Sequence, residues 1–287
     1  MRRLLTENKC IPLIGAYNGL IGKAIKSAGF KGCYLSGGAL HASKGFPDVG
    51  LLTYESFCQA IKEIHDSCQL PILADADTGF GGPEIIRKVV YEYWNSGAGG
   101  FHIEDQTFPK RCGHLDGKTL ESTEIMQEKV EAAKKASLDF TNGEFVVCAR
   151  TDAFSVEGID SAIKRAQAYI EAGADMIFPE GLHNIEDFEK FYREMKNKAW
   201  LLANLTEFGK TSLDINVAKL EEVGYKVVIF PVSTLRVAMK AINDLLEAIK
   251  NEGSQKSTLH KMQTRKELYS LLDYNPNQPW EYKIPKN

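Results

Sequence analysis

A repeated unit, in which a short apolar segment is followed by an amphipathic helical pattern, limits the fold of this chain more than any other feature. Helical patterns such as 161–172 and 217–223 separate the segments, and several helices end at a glycine, as at Gly29, Gly173 and Gly224. Glycine is common there because it readily adopts the left-handed conformation that ends a helix. Eight strand–helix units predict a (β/α)8 barrel, and no GxGxxG motif follows the first segment to favour the alternative of a doubly wound sheet. The eight segments are residues 12–17, 32–38, 71–77, 100–106, 145–152, 176–181, 199–206 and 226–233.

Two regions exceed what eight units require. Residues 107–121 form a long loop after the fourth segment, and loops of this length in compact domains are often lids. After the eighth segment come two helical stretches, about 234–252 and 256–272, and then a proline-rich tail, 273–287. A barrel needs only one helix there. We therefore expect one domain over residues 1–287, with a C-terminal helical extension at about 253–287 that packs on a partner subunit.

The composition excludes several classes of protein. The chain has 287 residues, of which 44% are hydrophobic, and a net charge of −3, so it can bury a large core. It has no basic patch suited to nucleic acid, no apolar run long enough to cross a membrane and no signal-peptide pattern at its start. Its six cysteines show no CxxC spacing, which predicts a cytoplasmic protein with reduced thiols.

Two carboxylates follow the third segment, in the stretch PILADADTGFG. Asp75 and Asp77 lie two residues apart, and they would repel each other at a strand end unless positive charge lay between them. Mg²⁺, held by few carboxylates together with water and substrate oxygens, meets that need, and Mn²⁺ is the alternative metal. The competing interpretation is an acidic turn that caps the next helix.

The loop after the fourth segment carries the motif KRCGH. Cys112 lies between Lys110 and Arg111 on one side and His114 on the other. Positive neighbours lower a cysteine pKa towards the thiolate, so Cys112 can act as a nucleophile or as a general acid or base. The competing interpretation is a free surface cysteine in a basic loop.

Further polar residues lie at the predicted strand ends. Arg150 and Arg236 follow apolar segments and could bind carboxylates bidentately, although each alone is more often a structural ion pair. Ser36-Gly37-Gly38 offers backbone amides to an anion or forms a simple turn. The acidic side chains Glu104, Asp105 and Glu180 could orient water or pair with nearby basic residues. His102 lies inside an apolar run, and we interpret it as a core histidine.

Taken together, these motifs resemble the isocitrate lyase/phosphoenolpyruvate mutase superfamily over nearly the whole chain. YLSGG, DADTGFG, HIEDQ, KRCGH and ARTDA occur in the order of that family, followed by FPE, ANLTEFG and MQTRKELY. The resemblance implies Mg²⁺-dependent cleavage of 2-methylisocitrate, a tricarboxylate, into pyruvate and succinate. Cys112 stands in the loop typical of the lyases, and isocitrate lyases proper are longer and carry KKCGH, where this chain has Arg111. Isocitrate cleavage, a phosphonate or oxaloacetate reaction, and a catalytically silent binding or assembly module are the alternatives.

The resemblance also implies a role for each matching position and a homotetramer in which a C-terminal helix is exchanged between barrels. Asp75 and Asp77 match the metal site, mostly through water, with Asp48 and Glu104 in support. Cys112 matches the acid that protonates the carbanion, and Tyr34 matches a candidate base. Three residues, Phe178, Ile229 and Pro231, match the walls around the substrate methyl group. The substrate contacts are Ser36, Gly37, Gly38, Cys112, Gly113, His114, Arg150, which also counts as catalytic, Glu180, Asn204, Leu205, Thr206, Arg236 and Arg265.

Overall fold

Eight parallel strands form a closed barrel in the computed structural model, which describes residues 1–113, 115–196 and 198–281. Each strand pairs with its neighbour in the chain, and β1 pairs with β8 to close the sheet, so the predicted (β/α)8 barrel is confirmed. His114 and the end of the predicted tail lie outside the described residues. The strands are β1 (Ile11–Gly15), β2 (Cys33–Leu35), β3 (Ile72–Asp75), β4 (Ala98–Glu104), β5 (Val146–Thr151), β6 (Met176–Pro179), β7 (Trp200–Asn204) and β8 (Val227–Phe230).

The helices surround the barrel and fill the connections between the strands. A 3-10 helix, Lys256–Lys261, separates the last two of them. In the described part of the chain, no helix has the length and apolar character needed to span a membrane. The helices are α1 (Arg2–Glu7), α2 (Gly19–Ser27), α3 (Gly37–Ser43), α4 (Tyr54–Cys68), α5 (Pro83–Ser96), α6 (Thr123–Thr141), α7 (Phe154–Glu157), α8 (Ile159–Glu171), α9 (Ile185–Met195), α10 (Val217–Val223), α11 (Ser233–Glu252) and α12 (Arg265–Leu271).

Hydrophobic side chains pack in two layers, one on each side of the sheet. Strands such as β4 and β5 are buried on both faces, which explains why they form continuous apolar runs in the sequence. One layer lies inside the barrel and includes Leu13, Leu73 and Leu202. The other lies between the strands and the helices and includes Phe57 and Phe101. Because the barrel interior is filled, the chemistry is restricted to the rims.

The second strand is shorter than the sequence predicts. Residues 32–38 were expected to be one extended segment, but β2 ends at Leu35 and α3 begins at Gly37. Ser36 caps that helix, because its hydroxyl oxygen accepts a hydrogen bond from the Ala39 backbone N–H at 3.3 Å. The apolar pattern runs across the boundary between strand and helix, so it conceals the break.

The C-terminal extension is also divided differently from the prediction. The stretch 234–252 corresponds to α11, whereas 256–272 forms the 3-10 helix and then α12. Thr264 starts α12 with a capping box, in which its side chain and that of Glu267 each bond to the other's backbone N–H. This local signal interrupts the helical pattern and begins a new helix.

Candidate active site

The carboxyl ends of the strands bring most of the predicted polar residues to one rim of the barrel. Strand pairing sets Asp75 beside His102 and Glu104 beside Arg150. All four side chains are buried, as are Glu180 and Asn204 from β6 and β7. Buried charged groups are costly unless they are paired, so a cluster of this kind at the rim marks a functional site.

Asp75 and Asp77 adopt a tightly specified geometry after β3. The backbone N–H of Asp77 donates to Asp75 Oδ1 at 2.9 Å, and the N–H of Gly37 donates to Asp75 Oδ2 at 3.0 Å. A Cβ atom on Gly37 would lie 2.8 Å from Asp75 Oδ2, so this close approach requires glycine. Burial opposes the charge on Asp75, but His102, Lys110 and Arg150 hold its pKa below the ordinary value.

Lys110 reaches down from the loop 107–121 and lies between two carboxylates. Its Nζ is 2.5 Å from Asp77 Oδ1 and 3.0 Å from Asp48 Oδ1. Even so, burial, together with the charges of Asp75 and Asp48, raises the pKa of Asp77 to about 6. The positive charge of Lys110 therefore balances only part of the negative charge of these aspartates.

Glu104 also lies where the nearby positive charges do not fully stabilise an ionised carboxylate. Its nearest cation is Arg150, whose Nη1 is 3.3 Å from Glu104 Oε2, yet neither oxygen of Glu104 accepts a hydrogen bond from any described residue. Burial raises the pKa of Glu104 to about 8 against the opposing effects of Arg150 and Lys110. A carboxyl group with this pKa would ionise fully at neutral pH only if more positive charge were brought to the site.

These carboxylates fit a hard divalent cation. Mg²⁺ prefers carboxylate oxygens, and Asp77 Oδ2 and both oxygens of Glu104 accept no hydrogen bond from the described residues. No group of three or more acidic, histidine or cysteine side chains in the described chain is arranged to enclose a metal by itself. The geometry therefore suits a cation held by Asp75 and Asp77 that takes its remaining ligands from water and substrate.

Arg150 is held in place by a network of carboxylates. Its Nε and Nη2 donate to Asp152 at 2.9 and 3.1 Å, and its Nη1 is 3.5 Å from Glu180 Oε2. Asn204 in turn donates to both oxygens of Glu180 at 3.3 and 3.2 Å. The guanidinium also lies 5.2 Å above the ring of Phe178. Its orientation is thus set before any ligand arrives.

Tyr34 and His102 form a buried pair beneath the carboxylates. Tyr34 Oη and His102 Nε2 share a hydrogen bond of 2.7 Å, and the same nitrogen is 3.7 Å from Asp75 Oδ1. Burial lowers the pKa of His102 to about 4, so the ring is neutral at pH 7. Burial, with Asp75, also raises the pKa of Tyr34 well above its ordinary value.

The loop 107–121, which we call the lid, lies over this network. The side chain of Gln106 fixes the first part of the lid. Its Nε2 donates a hydrogen bond to the Arg111 carbonyl, and its Oε1 accepts one from the Arg111 backbone N–H, both at 2.9 Å. Cys112 follows and is partly buried. A Cβ atom on Gly113 would lie only 2.3 Å from Arg150 Nη2 and 2.6 Å from Glu180 Cγ. The lid is therefore closed against the arginine.

Two predicted substrate contacts, Arg236 and Arg265, make other contacts in the single chain. Arg236 on α11 is half-exposed, stacks 5.4 Å from the ring of Phe208 and pairs with Glu207 at 3.7 Å. Arg265 is exposed at the start of α12, which lies against α2. The substrate roles of both arginines remain predictions.

The residues predicted around the substrate methyl group are buried near the rim. Phe178 and Ile229 belong to the layer inside the barrel, and Phe178 packs edge-on against His102 at 5.4 Å. Pro231 is also buried. Their contact with a methyl group remains a prediction.

Three residues of the candidate site were missed or underestimated from sequence. His102, interpreted as a core residue, is buried but contacts both Tyr34 and Asp75. Asp152, two residues after Arg150, holds that arginine, and Lys118 from the lid pairs with Asp152 at 2.9 Å. The spacing of Arg150 and Asp152 was a usable signal, because strand residues two apart point to the same side.

Comparisons with known proteins identify relatives of this chain. The family model described as phosphoenolpyruvate phosphomutase matches residues 1–250. A Halalkalibacterium halodurans protein named 2-methylisocitrate lyase is 42% identical over 285 residues, which are 99% of this chain and 92% of the relative. A crystal structure of 2,3-dimethylmalate lyase matches with a TM-score of 0.87 at 34% identity, over 94% of this chain and 89% of that one. A phosphonopyruvate hydrolase in complex with oxalate and Mg²⁺ matches with a TM-score of 0.83 at 29% identity, over 95% and 93%.

Proposed function

The chain belongs to the phosphoenolpyruvate phosphomutase family, and from this premise we propose that it is a Mg²⁺-dependent carbon–carbon lyase that cleaves 2-methylisocitrate into pyruvate and succinate. The observation that carries the proposal is a cysteine on a lid closed over a buried arginine. Cys112 is next to Gly113, which lies against Arg150 and Glu180. A relative that is 42% identical over 99% of the chain is named 2-methylisocitrate lyase, which supports the same substrate.

The reaction breaks the bond between C2 and C3 of the substrate. The proton of the C2 hydroxyl goes to a base, C2 becomes the ketone of pyruvate, and the electron pair of the bond moves onto C3 and its carboxylate. Arg150 stabilises this charge because its orientation is already set by Asp152, so no reorganisation is needed during the reaction. Cys112 then gives its thiol proton to C3 to complete succinate.

Tyr34 is the candidate base for the C2 hydroxyl. Its hydroxyl is buried beside Asp75, and burial raises its pKa, which opposes formation of the phenolate. The positive charge of Lys110 and Arg150 acts in the opposite direction. The hydrogen bond to His102 Nε2 fixes the position of the Tyr34 hydroxyl beneath the rim.

Asp75 and Asp77 are the residues that would hold Mg²⁺, with Asp48 and Glu104 nearby. Bound there, the cation would supply the positive charge that stabilises ionised oxygens of the substrate and the surrounding carboxylates. The buried oxygens of Glu104, which accept no hydrogen bond from the described residues, support this assignment. Measuring product formation with Mn²⁺ in place of Mg²⁺ tests whether Mn²⁺ can substitute.

The lid explains how the intermediate is protected. A carbanion exposed to water would take a proton from solvent, so closure must precede cleavage. Placing the acid Cys112 on the lid couples protonation to the closed state. The Gln106 clamp on Arg111 supports a defined closed position rather than a loosely ordered loop.

We further propose a cytoplasmic homotetramer in which the C-terminal helical extension is exchanged between barrels. The six cysteines form no disulfide with one another in the structure, which supports that compartment. None of the 20 residues of α11, the helix that precedes the extension, is buried, and apolar side chains such as Val237 and Leu246 are exposed. A cavity of about 640 Å³ beside it is lined by residues including Leu40 and Met239. Light scattering coupled to size exclusion tests the tetramer, and a monomeric mass would contradict it.

The deciding experiment measures the products formed from 2-methylisocitrate and from isocitrate, with Mg²⁺, with Mn²⁺ and with chelator. We expect pyruvate from the first substrate, dependent on metal and lost in Cys112→Ser. An excess of glyoxylate from isocitrate would instead identify an isocitrate lyase with the same site. No product from either substrate, in folded protein, would direct the assignment to the phosphonate and oxaloacetate reactions of the family.

A further inference from the structure

Lys118, near the end of the lid, has a position that the proposed reaction does not by itself require. Its side chain is 1% exposed, although it belongs to a surface loop. Lysine on a loop normally keeps its ammonium in water, and burying that charge is unfavourable unless it is paired and hydrogen-bonded. Lys118 Nζ meets both conditions: it is 2.9 Å from Asp152 Oδ1, and it donates a short hydrogen bond to the carbonyl of Gly113.

The two partners of Lys118 belong to different parts of the site. Gly113 follows Cys112, the proposed acid, on the lid. Asp152 is fixed to the barrel, because its backbone N–H donates to Asp105 Oδ1 at 2.9 Å and its carboxylate accepts from Arg150. Asp152 Oδ1 accepts from both Arg150 Nη2 and Lys118 Nζ. One carboxylate oxygen therefore joins the lid to the arginine.

The charges explain what this connection does. Without Lys118, Asp152 would have Arg150 as its principal counter-ion, and much of the arginine's positive charge would be neutralised by it. With the lid closed, Lys118 shares the charge of Asp152, which leaves more of the positive potential of Arg150 for a substrate carboxylate. The lid carries a second buried lysine, Lys110, but that one pairs with Asp48 and Asp77 on the metal side.

We propose that Lys118 is a positioning residue that couples closure of the lid to the arginine: by bridging the Gly113 carbonyl and Asp152, it holds Cys112 in place and prepares Arg150 for a substrate carboxylate. The identity of that substrate rests on the proposed function. The coupling itself depends only on the contacts of Lys118.

The test compares Lys118→Met, which removes the charge while keeping most of the side-chain length, with Lys210→Met. Lys210 also pairs with the lid, at 2.6 Å from Asp116, but that pair is on the surface and Asp116 is 92% exposed. Surface pairs contribute little, so the Lys210 variant is the matched control. The first readout is the rate at which iodoacetamide alkylates Cys112 in the absence of any substrate, followed by peptide mass spectrometry. Lys118→Met is expected to react at least fivefold faster than the wild type, and Lys210→Met at the wild-type rate.

The second readout, steady-state kinetics, shows whether Lys118 positions the acid and the arginine or only supports the structure of the lid. In Lys118→Met we expect kcat for 2-methylisocitrate to fall by tenfold or more and KM to rise less, because both the acid and the arginine lose their alignment. Lys118→Arg, which keeps the charge, is expected to recover part of the loss. If Lys118→Met does not fold, Lys118→Gln, which keeps one donor group, is judged by the same thresholds.

Alkylation of Cys112 at equal rates in Lys118→Met and the wild type would overturn the proposal. Because that measurement needs no turnover, it holds even if the protein proves inactive on 2-methylisocitrate. Conversely, faster alkylation with no activity on that substrate would support the coupling and reject the proposed function. The two proposals can therefore fail independently.

Discussion

Gly113→Ala tests directly whether the lid must close against Arg150. The added Cβ atom would lie 2.3 Å from Arg150 Nη2 and 2.6 Å from Glu180 Cγ, whereas ordinary contact begins at 3.4 Å. The arginine cannot easily give way, since its Nε and Nη2 are bonded to Asp152. The lid must therefore rise by about 1 Å, and a misplacement of that size costs roughly 100-fold in rate.

We expect kcat of Gly113→Ala to fall about 100-fold, which corresponds to about 2.7 kcal/mol of activation free energy. Gly113 is not among the residues with positive φ, so alanine introduces no backbone strain of its own. The melting temperature should stay near the wild-type value, because a lid that opens relieves the clash without unfolding the barrel.

The control for this experiment is Gly82→Ala. Gly82 is also a loop glycine, before α5, but its Cβ would have no neighbour nearer than Glu84 Oε2 at 3.9 Å. Steady-state kinetics with 2-methylisocitrate and thermal unfolding are measured for both variants. A kcat within threefold of the wild type in Gly113→Ala would refute the reasoning, because the site would then tolerate a lid held 1 Å further away.

Three further predictions address the acid, the metal and the specificity of the site. Cys112→Ser should lower kcat by at least 100-fold with little change in melting temperature, since a hydroxyl is a much weaker acid than a thiol; near-normal turnover would remove Cys112 from its role. Burial raises the pKa of Glu104 to about 8 in the folded, metal-free protein, from an ordinary value of about 4.5. Between about pH 4.5 and 8 the folded protein therefore binds more protons than the unfolded protein. Its free energy of unfolding decreases as the pH rises through that window. Bound Mg²⁺ favours the ionised carboxylate, so it should raise the melting temperature by at least 2 °C more at pH 8.5 than at pH 5.5; equal increments by scanning fluorimetry would contradict this. Phe178→Trp should narrow the predicted methyl pocket and raise the turnover of isocitrate relative to 2-methylisocitrate, and an unchanged ratio would exclude Phe178 from that wall.

The fold was predictable because its signals are local and repeated. Strands such as β4 are buried on both faces, and helices such as α4 bury one apolar side, so periodicity identifies these units. Glycines such as Gly97 and Gly224 adopt positive φ where helices end. The boundary at Ser36 was misplaced because cap chemistry, rather than apolar pattern, ends β2 there.

The composition of the site was predictable in part. Barrel topology requires that residues following parallel strands share a rim, so the convergence of Asp75, Glu104 and Arg150 follows from sequence once the barrel is accepted. Which side chains of the site pair with each other does not follow from the sequence. The bond of Tyr34 to His102 joins residues 68 positions apart, and it depends on side-chain directions inside a closed sheet.

The sequence alone determined the strand–helix repeat, the barrel, and the types of residue available for chemistry at its rim. Only the tertiary structure decided which charges neutralise each other. Lys118 and Asp152 are 34 residues apart, and their contact depends on how the lid folds back onto β5. The periodicity of apolar residues indicates which side of each helix or strand is buried, and it can be recognised within one element. The strength of an ion pair depends on the distance between the charges and on the exclusion of water. Both arise only when separate elements pack together.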